Sequence, residues 1–191
     1  MTEIRVLIEG YAEKIKDGWV ANSTVTLVKS NGKNIIIDPG CNINELLEKL
    51  GKENLKSSDI NYVLLTHNHL DHSLLTGFFT KAKVLNYNEI FDVDKQFMHE
   101  NRIPGTDLEI LQTPGHSKDS CCLIVKMDKG TYVVAGDNFW WMKNEEERVD
   151  VNKPDQAHKG DMEELIESRK KILKIADWII PGHGKPFKVI K

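Results

Sequence analysis

Three histidines and one aspartate fall within six consecutive residues of the sequence, His67-Asn68-His69-Leu70-Asp71-His72. Burying so many polar side chains without partners would cost free energy of folding, so core packing does not explain the cluster. Imidazole together with carboxylate is the ligand set of zinc, iron or manganese, whereas calcium prefers all-oxygen sites. The run therefore predicts a metal site.

Three more residues of ligand type stand directly after a glycine, namely His116, Asp137 and His183. Glycine allows the backbone to turn sharply, so we expect each of these side chains to be aimed into a shared cavity. An open site with a single ion uses about three protein ligands, and the combined set is too large for one ion and suited to two. A carboxylate such as Asp137 could bridge two metals roughly 3.5–4 Å apart, with a hydroxide held between them. The predicted metal ligands are His67, His69, Asp71, His72, His116, Asp137 and His183.

Other residues that could take part in chemistry lie outside this pattern. His99 and His158 are expected to face solvent, and a role in substrate binding is the alternative for His158, which lies in a long polar segment. The run Phe139-Trp140-Trp141 follows Asp137 almost directly. Three consecutive rings cannot all face the same way, so we expect at least one to line the site, the long loop or a subunit contact of a homodimer, with ordinary core packing as the alternative.

The strands that must position these residues follow from apolar runs and turn residues. Asn31-Gly32 and Asp128-Lys129-Gly130 each predict a hairpin, and the nearly continuous apolar run 60–65 predicts a central strand covered on both faces. Strands are predicted over 4–8, 20–29, 34–37, 60–65, 83–87, 108–112, 121–127, 131–135 and 178–180.

Two segments have the apolar spacing of helices. The first begins after Asn42 or Asn44 and ends at Gly51, and the second is capped by Asp161 and runs to about Ala176. The polar segment 144–160 is predicted to be a long loop. Each half of the chain is β-rich and then helical, which predicts an α/β fold: a four-layer α/β/β/α sandwich in a single domain over residues 1–191.

Charge constrains the partners of the protein. The net charge of -3 and the pI near 6.2 leave no surplus of Lys and Arg to neutralise phosphates. A nucleic-acid partner is therefore not supported by charge, and a small-molecule substrate is favoured.

The three cysteines, Cys41, Cys121 and Cys122, form no disulfide framework. Adjacent cysteines on a strand point to opposite faces, so we expect free thiols in a reducing compartment. Charges interrupt the N-terminal residues, and no apolar run approaches the ~18 residues that span a bilayer. The expectation is a cytoplasmic protein without a membrane segment.

The motifs together resemble those of the metallo-β-lactamase superfamily. The run 67–72 matches its HxHxDH signature, and its later metal motifs are matched by Thr113-Pro114-Gly115-His116, Gly136-Asp137 and Pro181-Gly182-His183-Gly184. Asp38-Pro39-Gly40 resembles its early Asp-x-Gly turn. The segments 23–28, 134–137 and 168–187 resemble the branch of metallo-β-lactamase domain-containing protein 1 and its small prokaryotic relatives.

The resemblance implies two divalent metal ions, zinc in the first place and iron or manganese as alternatives. The implied reaction is hydrolysis, in which a metal-bridging hydroxide attacks an ester, thioester, lactone or phosphodiester, and Asp71 orients the nucleophile or accepts its proton. The ligands it implies are, for the first metal, His67, His69 and His116, for the second, Asp71, His72 and His183, and as the bridge, Asp137.

Three alternatives stay open at this point. Sulfur dioxygenases of the same fold use one iron and keep a similar motif. The vertebrate branch implies a ribonuclease, which the acidic pI does not support. A non-catalytic metal-binding module is the third. Antibiotic hydrolysis is not expected, because true β-lactamases of this fold usually lack the full HxHxDH motif with a bridging aspartate.

Overall fold

The computed structural model describes residues 2–156 and 160–190. Its helices are α1 (Ile43–Lys52), α2 (Leu70–Ser73) and α3 (Met162–Ile175). Its strands are β1 (Glu3–Ile8), β2 (Tyr11–Ile15), β3 (Gly18–Asn22), β4 (Val25–Ser30), β5 (Lys33–Ile37), β6 (Tyr62–Leu64), β7 (Lys83–Leu85), β8 (Glu89–Asp92), β9 (Lys95–Met98), β10 (Glu109–Gln112), β11 (Cys121–Met127), β12 (Gly130–Trp140), β13 (Trp178–His183) and β14 (Phe187–Lys188).

The first half of the chain forms a seven-stranded sheet in the order β1-β4-β5-β6-β7-β8-β9. The β4–β5 hairpin turns through Asn31 and Gly32, both at positive φ, as predicted. β6 lies in the middle and is buried along its length, which confirms the central strand predicted within 60–65. β5 and β6 are parallel, so Asp38 and His67, which lie beyond their carboxyl ends, meet at one edge of the sheet.

The second half forms a five-stranded sheet in the order β10-β11-β12-β13-β14. β11 and β12 make the predicted second hairpin, and β12 pairs in parallel with β13. The pairing register shifts at Gly136, whose φ is 52°, so the strand bulges there. The strand predicted to end at Ala135 continues to Trp140. Asp137 therefore lies at a bulge within a strand and not in a loop beyond one.

The two sheets pack face to face, and a helix covers the outer face of each. Ile35 of β5 and Val134 of β12 belong to the core between the sheets. Ile36 points the opposite way and packs with Leu46 of α1, while Ile172 of α3 packs on the outer face of the second sheet. This alternation along the strands produces four layers, and the predicted α/β/β/α sandwich is confirmed.

The single strand predicted over 20–29 is wrong. The chain bends between β3 and β4, where the N–H of Ser23 donates to the carbonyl of Asp71 (3.0 Å) and the N–H of Thr24 to the carbonyl of Gly182 (2.7 Å). These backbone donors tie together two segments that carry predicted ligands, so they are not available to a continuous strand. β3 pairs instead with β2, in a two-stranded hairpin that sequence analysis did not predict.

The predicted helix caps are confirmed. The Asn42 side chain accepts the N–H of Glu45 (3.3 Å) at the start of α1, and Asp161 caps α3 by accepting two backbone N–H groups. α1 continues one residue past Gly51. The described part of 144–160 contains no helix or strand, which agrees with the predicted loop.

The remaining single-residue expectations have mixed outcomes. Cys121 faces the core between the sheets and Cys122 the outer core, both as free thiols. The expectation of a solvent-facing His99 is wrong, because this residue is half-buried and its Nε2 donates to the carbonyl of Asn86 (2.9 Å). His158 lies outside the described residues. Over 2–156 and 160–190, no helix combines the length and the apolar character that crossing a membrane requires.

Candidate metal centre

The structure brings all seven predicted ligands together where the two sheets meet. The elements that carry them are the loop after β6 for His67 and His69, α2 for Asp71 and His72, the loop after β10 for His116, β12 for Asp137 and β13 for His183. Their ligand atoms form two groups, in each of which the atoms lie within 4.8 Å of one another. The groups are His67, His69, His116 and Asp137, and Asp71, His72 and His183.

The first group has three imidazoles around one carboxylate oxygen. His69 Nδ1 lies 2.9 Å from His67 Nε2 and 3.1 Å from His116 Nε2. Asp137 Oδ2 lies 3.4 Å from His116 Nε2 and 4.0 Å from His67 Nε2. The three imidazoles of this group match the number and type of ligands that one zinc-like ion takes in an open catalytic site, and the Asp137 carboxylate lies beside them.

The second group lies on the other side of Asp137. Asp71 Oδ2 is 3.3 Å from His183 Nε2 and 3.9 Å from His72 Nε2. Asp137 reaches both of these imidazoles, with Oδ1 3.2 Å from His72 Nε2 and Oδ2 3.6 Å from His183 Nε2. One carboxylate is thus shared between the two groups, which is the placement expected of a bridging ligand.

Two buried atoms of the cluster test whether metal ions fit it. Within the described chain, His72 Nε2 and Asp137 Oδ1 are buried and form no hydrogen bond of acceptable geometry, although they lie 3.2 Å from each other. Leaving a buried nitrogen and a buried carboxylate oxygen unsatisfied is costly, and a cation bound to both would remove that cost. Imidazole nitrogen with carboxylate oxygen is also the donor set of zinc, iron and manganese. The residues therefore fit two divalent ions.

The charges of the cluster hold Asp137 and His67 in the protonation states that bind metal. Burial raises the pKa of the Asp137 carboxyl, but the imidazoles of His72, His183 and His116 outweigh burial and hold this pKa well below its usual value. Burial lowers the pKa of His67 well below its usual value, and His72 adds to the effect. An ionised carboxylate and a neutral imidazole are the forms that coordinate a metal. Burial lowers the pKa of His72 and of His183, but the Asp137 carboxylate outweighs burial and raises the pKa of His72 well above its usual value and that of His183 to about 9, so metal binding at these two imidazoles would release a proton.

Glycines let two of the ligand-bearing segments, the loop before His116 and the bulge before Asp137, pack closely against neighbouring residues. Gly115 has a φ of 136°, and a side chain there would overlap the backbone of Leu165 in α3. Gly136 has a φ of 52°, and a side chain there would overlap Thr66. The sharp turns predicted before His116 and Asp137 are therefore present.

The second ring nitrogen of four ligand histidines is held by a neighbouring group. The contacts are His67 Nδ1 with Thr66 Oγ1 (3.1 Å), His72 Nδ1 with Asp38 Oδ2 (2.8 Å), His116 Nδ1 with Asp155 Oδ2 (2.6 Å) and His183 Nδ1 with the carbonyl of Asn22 (3.1 Å). Such contacts fix the orientation and tautomer of the rings, so the nitrogen facing the cluster is set before a metal binds.

Asp38 is a functional residue that sequence analysis placed only in a turn. Its φ is 50° and its side chain is buried. Its carboxylate accepts the backbone N–H of Thr66 (2.7 Å) and the Thr66 hydroxyl (2.6 Å) in addition to His72 Nδ1. It therefore fixes both the start of the histidine loop and one ligand. The sequence signal for it was the resemblance of Asp38-Pro39-Gly40 to a family turn.

Asp155 connects the long loop to the metal centre. Its side chain is 2% exposed although it lies in a polar segment, 39 residues from His116. Arg169, buried in α3, anchors this loop by donating to the carbonyls of Val151 (3.0 Å) and Lys153 (2.6 Å). No feature of the sequence singled out Asp155, because its partner is distant along the chain.

We expect Asp155→Asn to weaken binding of the first metal by roughly 10-fold and Asp155→Ala by up to ~100-fold, because His116 loses the carboxylate that orients it. Competition with a coloured chelator would measure both affinities. Asp150→Asn is the matched control, since Asp150 lies in the same loop and accepts a backbone N–H of Asn152. Equal affinities for the native protein and both Asp155 variants would contradict this role.

The aromatic run next to Asp137 divides between the core and the site. Phe139 and Trp141 pack in the outer core with α3. Trp140 lines a cavity beside the cluster, and its ring centroid lies 6.2 Å from that of His183. Of the locations predicted for at least one of the three rings (the site, the long loop or a subunit contact), the structure shows the site for Trp140, and core packing holds for the other two.

Comparison with known proteins agrees with this architecture. The sequence model of the metallo-beta-lactamase superfamily matches residues 18–87. Metallo-beta-lactamase domain-containing protein 1 of Xenopus laevis is 34% identical over 198 residues, which cover 98% of this chain and 82% of that protein.

Solved structures show the same fold at low sequence identity. A metallo-beta-lactamase family protein of Thermus thermophilus superposes with a TM-score of 0.68 at 16% identity, covering 97% of this chain and 75% of the other. A protein solved in a di-iron-bound form, TTHA1623, gives a TM-score of 0.62 at 19% identity, and the match covers 87% of this chain and 90% of the other. With the relative at 34% identity, these matches show that the chain belongs to the metallo-beta-lactamase superfamily.

Proposed function

We propose that this metal-dependent hydrolase of the metallo-beta-lactamase superfamily uses two divalent metal ions to hydrolyse an ester, thioester, lactone or phosphodiester of a small molecule. The observation that carries the proposal is the position of Asp137, whose carboxylate oxygens reach ligand atoms of both groups. A single-ion site would not need a second set of imidazoles on the far side of that carboxylate.

The side chains of the cluster have distinct roles in this reaction. When bound, two divalent ions would lower the pKa of a water in the site towards about 7, so that a nucleophile is present at neutral pH. Asp71 is the ligand carboxylate with the greater access to the cavity, with its side chain 28% exposed. Burial raises its pKa, but the hydrogen bond with His183 and the charge of His72 outweigh burial and lower it. Asp71 is therefore ionised at neutral pH and can orient the nucleophile and accept its proton.

Zinc is the proposed metal, and iron is the main competitor. The ligand set of five histidines and two aspartates suits both ions. The fold neighbour solved in a di-iron-bound form gives iron a specific precedent within this fold. Manganese is compatible with the same ligands.

The direct test is to purify the protein without added metal, count the bound ions by elemental analysis, and assay ester, thioester, lactone and phosphodiester substrates. We expect two zinc ions per chain and hydrolysis of at least one class. A single iron, with oxygen consumed on a persulfide, would replace the proposal with the dioxygenase alternative. One ion or none, without activity on any substrate, would favour a non-catalytic metal-binding module.

A further inference from the structure

A cavity of about 310 Å³ opens directly over the ligand cluster. Its floor consists of ligand side chains, and its walls come from the β2–β3 hairpin, α2 and β12. The floor residues are His69, Asp71, Asp137 and His183, and the wall residues are Ala12, Trp19, Ala21, Leu70 and Trp140. Every wall residue is apolar, and the volume is at the lower end of the range for small-molecule pockets.

Trp19 gives this cavity its outer wall. It lies on β3 and is 39% exposed, and its ring meets Trp140 edge to face, with 6.4 Å between the centroids. The hairpin is joined to the segment that follows β12 by the N–H of Lys143, which donates to the carbonyl of Ala12 (2.7 Å), and by the ion pair of Lys143 with Glu13 (2.8 Å). The aromatic wall therefore has a fixed position relative to the floor.

The cavity offers no cationic side chain to an anionic substrate. No lysine or arginine is among its lining residues in the part of the chain that the structure describes. Lys143 nearby is paired with Glu13, and Lys153 is paired with Glu145 (2.9 Å) and donates to the carbonyl of Trp140 (2.7 Å). The positive charge of the site would come from the bound metal ions at the floor alone, so the walls can contribute only apolar contacts, and they favour an apolar chain over a phosphate backbone.

We infer that the cavity binds the apolar acyl chain of a neutral carboxylic ester, thioester or lactone, with Trp19 as the residue that sets the preferred chain length. The inference rests on the proposed hydrolysis and specifies its substrate class. The carbon–oxygen or carbon–sulfur bond at the acyl carbon breaks, and water supplies hydroxyl to that carbon and a proton to the leaving oxygen or sulfur. The products are a carboxylic acid, which ionises at neutral pH with release of one proton, and an alcohol or thiol; from a lactone both groups lie in one molecule. No oxidant or reductant is needed.

The test uses the metal-loaded protein and thioesters with one fixed leaving group and acyl chains from two to eight carbons. We expect kcat/KM to rise about fourfold for each added methylene until the cavity is full, the ratio that transfer of one methylene from water gives. In Trp19→Ala the increase should fall below about twofold per methylene, because the chain stays in contact with water. Ala21→Leu, which fills the cavity from the hairpin, should shorten the longest chain accepted.

Val20→Ala is the matched control, because Val20 is adjacent to Trp19 on the hairpin but does not line the cavity, and it should keep the native dependence on chain length. An acyl-length dependence that is absent in the native protein, or unchanged in both Trp19→Ala and Ala21→Leu, would overturn the inference. A preference for phosphodiesters, or a dependence on the length of the leaving group instead, would also overturn it.

A binding measurement separates failure of this inference from failure of the proposed function. Calorimetric titration of the metal-loaded protein with carboxylates of increasing chain length requires no turnover. Affinity that rises with chain length and is lost in Trp19→Ala, without hydrolysis of any ester, would support the acyl cavity and contradict the hydrolase. Hydrolysis without any chain-length dependence in binding or rate would leave the hydrolase standing and reject the acyl cavity.

Discussion

Replacing Asp137 by asparagine is expected to lower kcat/KM by roughly 10³-fold or more and to leave no more than one tightly bound ion per chain. The variant keeps the shape of the side chain but removes the negative charge that both ligand groups share. Metal ions stabilise the transition state of hydrolysis by several kcal/mol, and each loss of about 1.4 kcal/mol lowers the rate tenfold, which gives the expected decrease of roughly 10³-fold. Steady-state kinetics and elemental analysis of the purified variant would measure both effects.

Asp92→Asn is the control for this experiment. It is the same substitution made at the surface, because Asp92 is a partly exposed residue of β8 that is paired with Lys83 (2.8 Å) and is not a ligand. We expect native activity and native metal content. An Asp137→Asn variant that retained two ions and native kcat/KM would show that Asp137 does not bridge the metals.

Removing the metal ions is expected to lower the thermal unfolding midpoint by roughly 15 to 30 °C. Ligands that bind only the folded state stabilise it by about 4 kcal/mol for each site at a free concentration of ~1,000 Kd. For a domain of this length each kcal/mol shifts the midpoint by about 2–4 °C. The physical source is the cluster itself, where the buried imidazoles of His72, His116 and His183 surround the buried carboxylate of Asp137. Thermal scans before and after chelation would measure the shift.

The metal that restores stability is part of the same prediction. Adding zinc should return the midpoint to its starting value, and adding iron or manganese should raise it by a smaller amount. Calcium and magnesium should leave it unchanged, because the site offers mostly imidazole nitrogen. The difference between loaded and stripped protein should shrink in Asp137→Asn and stay native in Asp92→Asn. An unfolding midpoint that is the same before and after chelation would contradict a metal centre in the folded protein.

The site could be predicted from sequence to the extent that its residues carry local signals. The run from His67 to His72 is visible as a cluster, and His116 and His183 are visible through the Pro-Gly that precedes each of them. Asp155 carries no such signal, because its contact with His116 spans 39 residues and depends on how the loop folds back.

The two hairpins that sequence analysis missed, β8–β9 and β2–β3, lack the usual signals for different reasons. β8 and β9 are joined through Val93, a β-branched residue at a φ of 59°, where glycine or asparagine would have been the usual signal. The β2–β3 hairpin stands outside both sheets, with Ile15 and Val20 exposed, so its strands lack the alternation of buried and exposed residues. The hairpin at Asn31-Gly32, by contrast, has both the turn residues and a buried face, and it was predicted correctly.

The division of the ligands between the two sheets has a consequence for biosynthesis. The first sheet is complete by Met98, whereas the second needs residues from Glu109 onward, and its contribution to the cluster is finished only at His183. During translation the first sheet can pair its strands while the second is still being made, yet neither group of ligands is complete, since each takes members from both sheets. Neither metal can therefore meet its full set of ligands before the second sheet has been made: the first group needs Asp137, and the second needs His183.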